Sequence, residues 1–309
     1  MPSSAPALNR ILAAGIVLFF LCLPLHASDT EPYAPGTLAH HLSTNATTRA
    51  KGHKPGQNGL QLLSGWTFAT YSKTNDNMKL LTRAKWSKRC WLVGVNGLSA
   101  TPIGMSNNPG GKTLFTMVSP RHFVVASHTI REMGPVAFLD TNNVIHWRKP
   151  LEIARLGADA SVGILDADLP STVEFLPLLT PDYTNCLPTG NTNYVQGIGM
   201  NQDMFAYSQP LAFGNQTFVG WNSRAFPPSG LHTNWNIAVR GGDSSLPVRL
   251  LIGNQLVLVS HHTSVAGGPN LAFLIDGINQ KMHHLSTNNH LASDYHLTPF
   301  PLTNWPAIR

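Results

Sequence analysis

The strongest chemical signal in the chain is a serine preceded by a glycine and an aspartate, just before an apolar segment. Gly242, Asp243 and Ser244 stand in this order, and Pro247 opens the segment. In such a turn the backbone N–H groups of Gly242 and Ser244 can converge on a developing oxyanion, which acyl transfer requires. Because a serine hydroxyl is a weak nucleophile, a histidine base and a carboxylate that fixes its tautomer are also needed.

A histidine and an aspartate next to apolar segments can complete this chemistry. His128 follows the apolar residues 123–126 closely, and Asp159 lies just before the apolar residues 161–165. Three other aspartates compete with Asp159 for this role, namely Asp140, Asp166 and Asp168. Only Asp159 leads directly into an expected strand, so the candidates are His128 as base, Asp159 as carboxylate and Ser244 as nucleophile.

The segments that carry these residues have the spacing of an antiparallel β-protein. Short apolar segments separated by turn residues lie at 114–118, 123–126, 136–139, 144–147, 161–165 and 194–198. Residues 140–143 and Gly253-Asn254 are expected hairpin turns. Helical periodicity is convincing once, over residues 271–285 behind Asn270 as N-cap. The pattern predicts an all-β domain closed by a C-terminal helix.

Residues 119–128, Asp159 and the Gly242-Asp243-Ser244 turn together resemble chymotrypsin/trypsin-like serine proteases, over roughly residues 90–285. Asp159 follows His128 by only 31 residues, which resembles secreted bacterial members with trimmed loops. The resemblance implies a double Greek-key β-barrel with the catalytic triad in the cleft. His128 would then be the general base, Asp159 the buried orienting carboxylate and Ser244 the nucleophile. The amides of Gly242 and Ser244 would form the oxyanion hole.

The same resemblance gives three substrate-binding expectations and one departure. Ser260 would support the aspartate and line the specificity pocket. Ala238 stands where trypsin-like relatives have an acid, which disfavours cleavage after basic residues. His261 or His262 near the pocket wall would favour an acidic or polar side chain. Ser245 and Leu246 replace two glycines that usually follow the nucleophile, and the bulk of Leu246 is expected to narrow the cleft.

An activation step is a further hypothesis. In the family a new N-terminus commonly pairs with the aspartate before the nucleophile, and Asp243 is present to receive it. Lys88-Arg89 followed by Cys90 weakly resembles the activation junction, although cysteine replaces the usual small aliphatic residue.

Composition and the N-terminal sequence bound the compartment. The net charge of +6 and the pI near 9.4 come without a long block of either sign, which argues against a dedicated nucleic-acid binder. The apolar residues 11–25 are fewer than the roughly 20 that span a bilayer. With Ala27 at their end they predict a signal peptide over residues 1–27 and a secreted or periplasmic protein, the alternative being an uncleaved anchor.

The domain boundaries follow from the change of composition near Cys90. Residues 28–89 are expected to be a propeptide or an N-terminal arm, with a flexible leader from Ser28 to about Gly59 because large apolar residues are few. Residues 90–290 form the predicted protease domain and residues 291–309 a C-terminal tail. Cys90 and Cys186 form either one disulfide or two free buried thiols.

Two motifs fail. Residues 109–113 end like a phosphate loop, but Ser106 stands where that loop requires glycine. Adjacent histidines, as at 261–262, point apart and cannot easily share one ion.

The sequence therefore predicts a secreted serine endopeptidase acting on protein or peptide substrates, without metal or other cofactor, and leaves its oligomeric state open. The alternatives are a catalytically silent binding module, which Leu246 and the long leader favour, and an esterase with the same triad.

Overall fold

The computed structural model of the protein describes residues 33–65, 84–105, 114–130, 134–221, 230–292 and 294–308. The expected signal peptide over residues 1–27 and residues 109–113 lie outside this part of the chain. Across the described ranges, no helix is long and apolar enough to cross a membrane.

The N-terminal half is built from three small antiparallel sheets. Its strands are β1 Leu63–Ser64, β2 Lys85–Trp86, β3 Gly104–Met105, β4 Thr116–Met117, β5 His122–Ala126, β6 Val136–Leu139, β7 Ile145–Arg148, β8 Pro150–Gly157 and β9 Ala160–Leu165. They pair in the orders β1-β2, β3-β6-β7 and β4-β5-β9-β8. Strands β5 and β9 are buried along their whole length. A four-stranded sheet with a buried centre therefore carries the segment before His128 and the segment after Asp159.

The C-terminal half is one curled eight-stranded sheet. Its strands are β10 Leu178–Leu179, β11 Tyr194–Met200, β12 Ala206–Phe213, β13 Phe218–Gly220, β14 Pro247–Ile252, β15 Gln255–His261, β16 Gly267–Pro269 and β17 Pro299–Phe300. Their order is β16-β13-β12-β11-β14-β15-β10-β17. The predicted hairpin at Gly253 joins β14 to β15, and Gly253 has a φ of 60°, which glycine tolerates in a tight turn. The mostly β architecture predicted from the spacing is confirmed.

Four α-helices and four 3-10 turns complete the described part of the chain. The helices are α1 Leu38–Ala50, α2 Gln57–Leu60, α3 Gly230–Trp235 and α4 Ile275–Asn288, and the 3-10 turns are Leu98–Ala100, Ser127–Thr129, Pro181–Asn185 and Leu271–Leu274.

The predicted C-terminal helix is confirmed as α4, which packs on β8 and β9 through Ile278, Met282 and Leu285. Asn270 is not its cap. The side chain of Asn270 donates instead to the hydroxyl of Tyr183 at 2.8 Å, and a 3-10 turn leads into the helix.

A flexible leader up to Gly59 is wrong for the described part of that segment. Helix α1 packs against β11 and β14, with Leu38, Leu42 and Ala46 buried on one face. The side chain of Asn45 donates to the carbonyls of Leu251 and Gly253. A helix this poor in apolar residues is stabilised by the sheet beneath it.

Cys90 and Cys186 are both free, so the disulfide alternative is wrong. Both thiols are buried in separate apolar clusters, Cys90 against the carbonyl of Leu60 and Cys186 against that of Trp305. Burial raises the pKa of Cys90 to about 12, which keeps it a protonated, unreactive thiol. Trp305 belongs to the predicted tail, which adds β17 to the large sheet through parallel pairing with β10.

Candidate active site

His128 lies on the 3-10 turn that follows β5, facing the hairpin between β8 and β9. Its Nδ1–H donates to Oδ2 of Asp159 at 2.6 Å, and its backbone N–H donates to Oδ1 at 2.9 Å. The backbone N–H of Ser127 binds the carbonyl of Asp159 at 3.0 Å. Three hydrogen bonds from two consecutive residues thus fix the position of His128 relative to Asp159.

Asp159 occupies a backbone conformation that few side chains accept. Ala158 and Asp159 have φ values of 49° and 58°, so the two-residue connection between β8 and β9 is left-handed at both positions. Aspartate is among the residues that tolerate this region. The turn directs the carboxylate toward the end of β5 and therefore toward His128.

Ser244 completes the series from the other half of the molecule. Its hydroxyl lies 3.0 Å from Nε2 of His128, within hydrogen-bonding distance for a nucleophile and its base. Ser244 precedes β14 of the eight-stranded sheet, whereas His128 and Asp159 belong to the four-stranded sheet. The three residues that the sequence singled out therefore meet where the four-stranded sheet faces the eight-stranded sheet.

The competing aspartates lie elsewhere. Asp140 is buried and holds its own hairpin turn, accepting from the backbone N–H groups of Asn142 and Val144. Asp166 accepts from the backbone N–H of Lys149, and Asp168 lies 3.7 Å from Arg121. None of the three contacts His128.

Asp159 was expected to be a buried carboxylate, but its side chain is only partly buried. The side chain of Asp159 is 33% exposed and that of His128 is 45% exposed. The tight hairpin projects from the edge of the sheet, so water reaches one side of the pair. Orientation of the imidazole therefore rests on the hydrogen bonds rather than on exclusion of solvent.

The turn before Ser244 was expected to supply an oxyanion hole, and its backbone geometry is compatible with that role. Gly242 has a φ of 95°, and a Cβ at this position would lie 2.8 Å from the side-chain amide of Gln202. The backbone N–H groups of Asp243, Ser245 and Leu246 all donate to carbonyls. Those of Gly242 and Ser244 have no acceptor within the described ranges, and two free N–H groups flanking one residue are suited to a developing oxyanion.

Asp243 is stabilised by the backbone rather than by a new N-terminus. It is buried, and its two oxygens accept from the backbone N–H groups of Gln202 and Arg240 at 3.0 Å and 2.9 Å. Burial raises its pKa, and the two hydrogen bonds counteract that effect. Cys90, which cleavage after Arg89 would make the N-terminus, is itself buried. The contacts of Asp243 thus do not call for the hypothesised activation step.

Ser245 ties the histidine segment to the nucleophile turn, a role the sequence did not reveal. It is buried with a φ of 73°. Its hydroxyl accepts from the backbone N–H of Ala126 at 2.9 Å and lies 2.7 Å from the hydroxyl of Thr129. The serine that replaces glycine here therefore bridges the residues on both sides of His128.

We expect Ser245→Ala to lower the free energy of unfolding by about 1–3 kcal/mol, because the buried N–H of Ala126 loses its acceptor. Ser245→Gly loses the same hydroxyl but relieves the positive φ, so its loss should be about 1 kcal/mol smaller. Urea titration of both variants gives these values. A glycine variant less stable than the alanine variant would contradict this account.

Leu246 does not narrow the cleft, so that expectation is wrong. Its side chain is 0% exposed and belongs to the main apolar core. The positive φ of Ser245 turns the chain so that the next side chain points inward.

Ser260 does not support Asp159, and this prediction is also wrong. The hydroxyl of Ser260 donates to the carbonyl of His261 at 3.2 Å. His261 contacts the aspartate instead, its Nε2 lying 3.3 Å from the carbonyl of Asp159. Burial lowers the pKa of His261 to about 4, so its imidazole is neutral at pH 7.

The remaining two substrate-binding candidates are His262 and Ala238. His262 is buried beside Gln209, with Nε2 3.1 Å from the Gln209 amide nitrogen, and its ring packs edge-on against Trp221. Burial lowers its pKa to about 3. Ala238 is exposed and lines a cavity together with Gln209 and Trp221. Ala238 thus lines this cavity directly, whereas His262 contacts two of its lining residues, Gln209 and Trp221, so a substrate-binding role for either position stays a prediction.

Within the described ranges, no group of three or more histidine, cysteine, aspartate and glutamate side chains could hold a metal ion. No protein-family model matches the chain, and no curated protein matches it either.

Proposed function

We propose that the protein is an exported serine endopeptidase of the chymotrypsin/trypsin-like type. The observation that carries the proposal is the continuous hydrogen-bonded series from Asp159 through His128 to Ser244. Next to it lie the N–H groups of Gly242 and Ser244, which have no acceptor among the described residues. In this proposal the sheets of the N-terminal half correspond to one Greek-key barrel and the eight-stranded sheet of the C-terminal half to the other. The substrate lies in the cleft between the two barrels.

The residues present can carry out acyl transfer in two steps. The Ser244 hydroxyl attacks the carbonyl carbon of the substrate while Nε2 of His128 takes its proton, and Asp159 stabilises the resulting imidazolium. The N–H groups of Gly242 and Ser244 bind the oxyanion. His128 then protonates the departing amine, which leaves an ester on Ser244. Water, deprotonated by His128, hydrolyses that ester and regenerates the hydroxyl.

The two features that favoured a silent binding module no longer support it. Leu246 points into the core, and the described part of the leader is packed on the sheet. An esterase would use the same three residues, so relative rates on matched amide and ester substrates separate it from a peptidase.

Labelling with a fluorophosphonate probe tests the proposal. The full chain should take up one equivalent of probe, and mass spectrometry should place the adduct on Ser244. Labelling should vanish in Ser244→Ala and in His128→Ala, while Ser264→Ala serves as a matched serine variant that keeps it. A folded protein that is not labelled, or is labelled equally after Ser244→Ala, would refute an activated serine.

A further inference from the structure

The peptide group between Gly241 and Gly242 carries one of the two N–H groups assigned to the oxyanion. In a trans peptide the carbonyl and the N–H point in opposite directions, so the direction of the Gly241 carbonyl fixes that of the Gly242 N–H. Rotating this peptide by about 180° would change the φ of Gly242 from 95° to about −85°, and glycine accepts both values. Because glycine lies on both sides of the peptide, a contact from elsewhere must fix its direction.

The side chain of Gln202 supplies such a contact. Its amide N–H donates to the carbonyl of Gly241 at 3.2 Å. The same amide packs closely on the next residue, since a Cβ on Gly242 would lie 2.8 Å from its nitrogen. A carbonyl that points toward Gln202 leaves the Gly242 N–H pointing away from it, and this N–H has no acceptor among the described residues. The contact therefore selects the orientation in which the Gly242 N–H stays available to a substrate oxygen.

Gln202 lies in the turn between β11 and β12, residues 201–205, which is itself held from two directions. The backbone N–H of Gln202 donates to Oδ1 of Asp243 at 3.0 Å. The N-terminal arm contributes Gln61, whose amide donates to two carbonyls of the turn at 3.1 Å and 3.4 Å. Because the bond to Asp243 comes from the backbone, a substitution of the Gln202 side chain leaves it in place.

We propose that Gln202 is a positioning residue, which holds the Gly241–Gly242 peptide with its N–H available to the oxyanion. The inference rests on the proposed function and adds a residue that acts through the backbone without touching the substrate. A glutamate at this position could only accept hydrogen bonds. Its carboxylate would favour the rotated peptide and bind the N–H of Gly242, which withdraws one of the two oxyanion donors.

Three substitutions test this role through the rate at which the fluorophosphonate probe labels Ser244, because the phosphoryl oxygen of the probe needs the same donors as the oxyanion. We expect Gln202→Glu to lower the second-order labelling rate by about 100-fold, the effect of losing one donor. Gln202→Met leaves both peptide orientations populated and should lower the rate by about 2- to 10-fold. Gln202→Lys keeps a donor and should be labelled faster than Gln202→Met.

Gln61→Met and Gln61→Glu are the matched controls. They change the same residue type against the same turn without touching the Gly241–Gly242 peptide. Both should lower the free energy of unfolding in urea, yet be labelled within about 2-fold of the unmodified protein. Labelling in about 0.05 M and 0.5 M NaCl separates a mere charge effect of the new carboxylate, because salt screens exposed charges and does not reorient the peptide.

Three results would overturn the positioning role. These are equal slowing by all three Gln202 substitutions, slowing that follows the free energy of unfolding in the Gln61 variants as well, and a Gln202→Glu effect that disappears at high salt. In each case the unmodified protein would still be labelled at Ser244, so the proposed function would stand. An unmodified protein that is not labelled would overturn the proposed function, and this inference with it.

Discussion

Asp159→Asn is expected to lower kcat by about 10⁴-fold while leaving the fold unchanged. Asparagine tolerates the φ of 58° at this position, and its side-chain oxygen can still accept from the backbone N–H of His128. Its amide nitrogen, however, replaces the oxygen 2.6 Å from Nδ1. Because that nitrogen can only donate, the imidazole must carry its proton on Nε2, and no lone pair faces Ser244. The wrong tautomer causes a loss of this size in a Ser-His-Asp triad.

Asp166→Asn is the matched control for this variant. The side chain of Asp166 also accepts a hydrogen bond from a backbone N–H, that of Lys149, and Asp166 competed with Asp159 for the same role, yet it does not contact His128. Its kcat should remain within 2-fold of the unmodified protein. Steady-state kinetics on a peptide ester, with active sites counted by the fluorophosphonate, measure both variants. An Asp159→Asn protein that keeps more than a tenth of the activity would remove Asp159 from the mechanism.

The candidate triad could be predicted because each member stands at a local sequence signal. His128 and Asp159 border buried strands, and Ser244 follows a glycine in a turn. Such signals need only alternation and turn chemistry, which act over a few residues. The same local rules gave the strands and helix α4.

The resemblance predicted that Ser260 contacts Asp159, whereas His261 makes this contact. The pairing of β14 with β15 explains the difference. Strands β14 and β15 pair residue by residue from their hairpin up to Arg249, which lies opposite Leu258. The register then shifts, and Val248 lies opposite Ser260, so β15 carries one residue more at this point. Because successive side chains alternate between the two faces of a strand, one extra residue exchanges the faces beyond it. Counting along the sequence could not reveal this bulge.

Long-range polar contacts were equally invisible in the sequence. Asp243 receives its two hydrogen bonds from Gln202 and Arg240, and only the first of these lies far along the chain. Helix α1 depends on Asn45 reaching the β14–β15 hairpin. The contacts of Gln202 and Asn45 are set by tertiary packing, which overrides weak local preferences.

We expect the free energy of unfolding to fall steeply as the pH is lowered from about 6.5 to 4, because three buried histidines stay neutral in the fold. Burial lowers the pKa of His122 and His261 to about 4 and that of His262 to about 3. In the unfolded chain each binds a proton near pH 6.5. The unfolded state thus holds more protons over this interval, and each histidine adds a slope of about 1.4 kcal/mol per pH unit in the direction of greater stability at higher pH.

His122→Gln isolates one of these contributions. The ring of His122 lies between the hydroxyls of Ser119 and Ser286 at 3.1 Å and 3.2 Å, which glutamine can partly replace without titrating. Its slope between pH 6 and 4.5 should be smaller by about 1.4 kcal/mol per pH unit, whereas the exposed His284→Gln should keep the original slope. Urea unfolding at each pH gives the slopes.

Asp243 opposes this trend without cancelling it. Burial raises its pKa, so the folded state holds its proton more tightly and gains stability as the pH falls through that range. One carboxyl contributes in this direction and three imidazoles contribute in the other. Their net contribution therefore still stabilises the folded state at neutral pH relative to acidic pH. A flat stability profile between pH 6.5 and 4.5 would mean that water reaches the three rings, and with it that the neutral imidazole of His261 beside Asp159 is not a fixed part of the site.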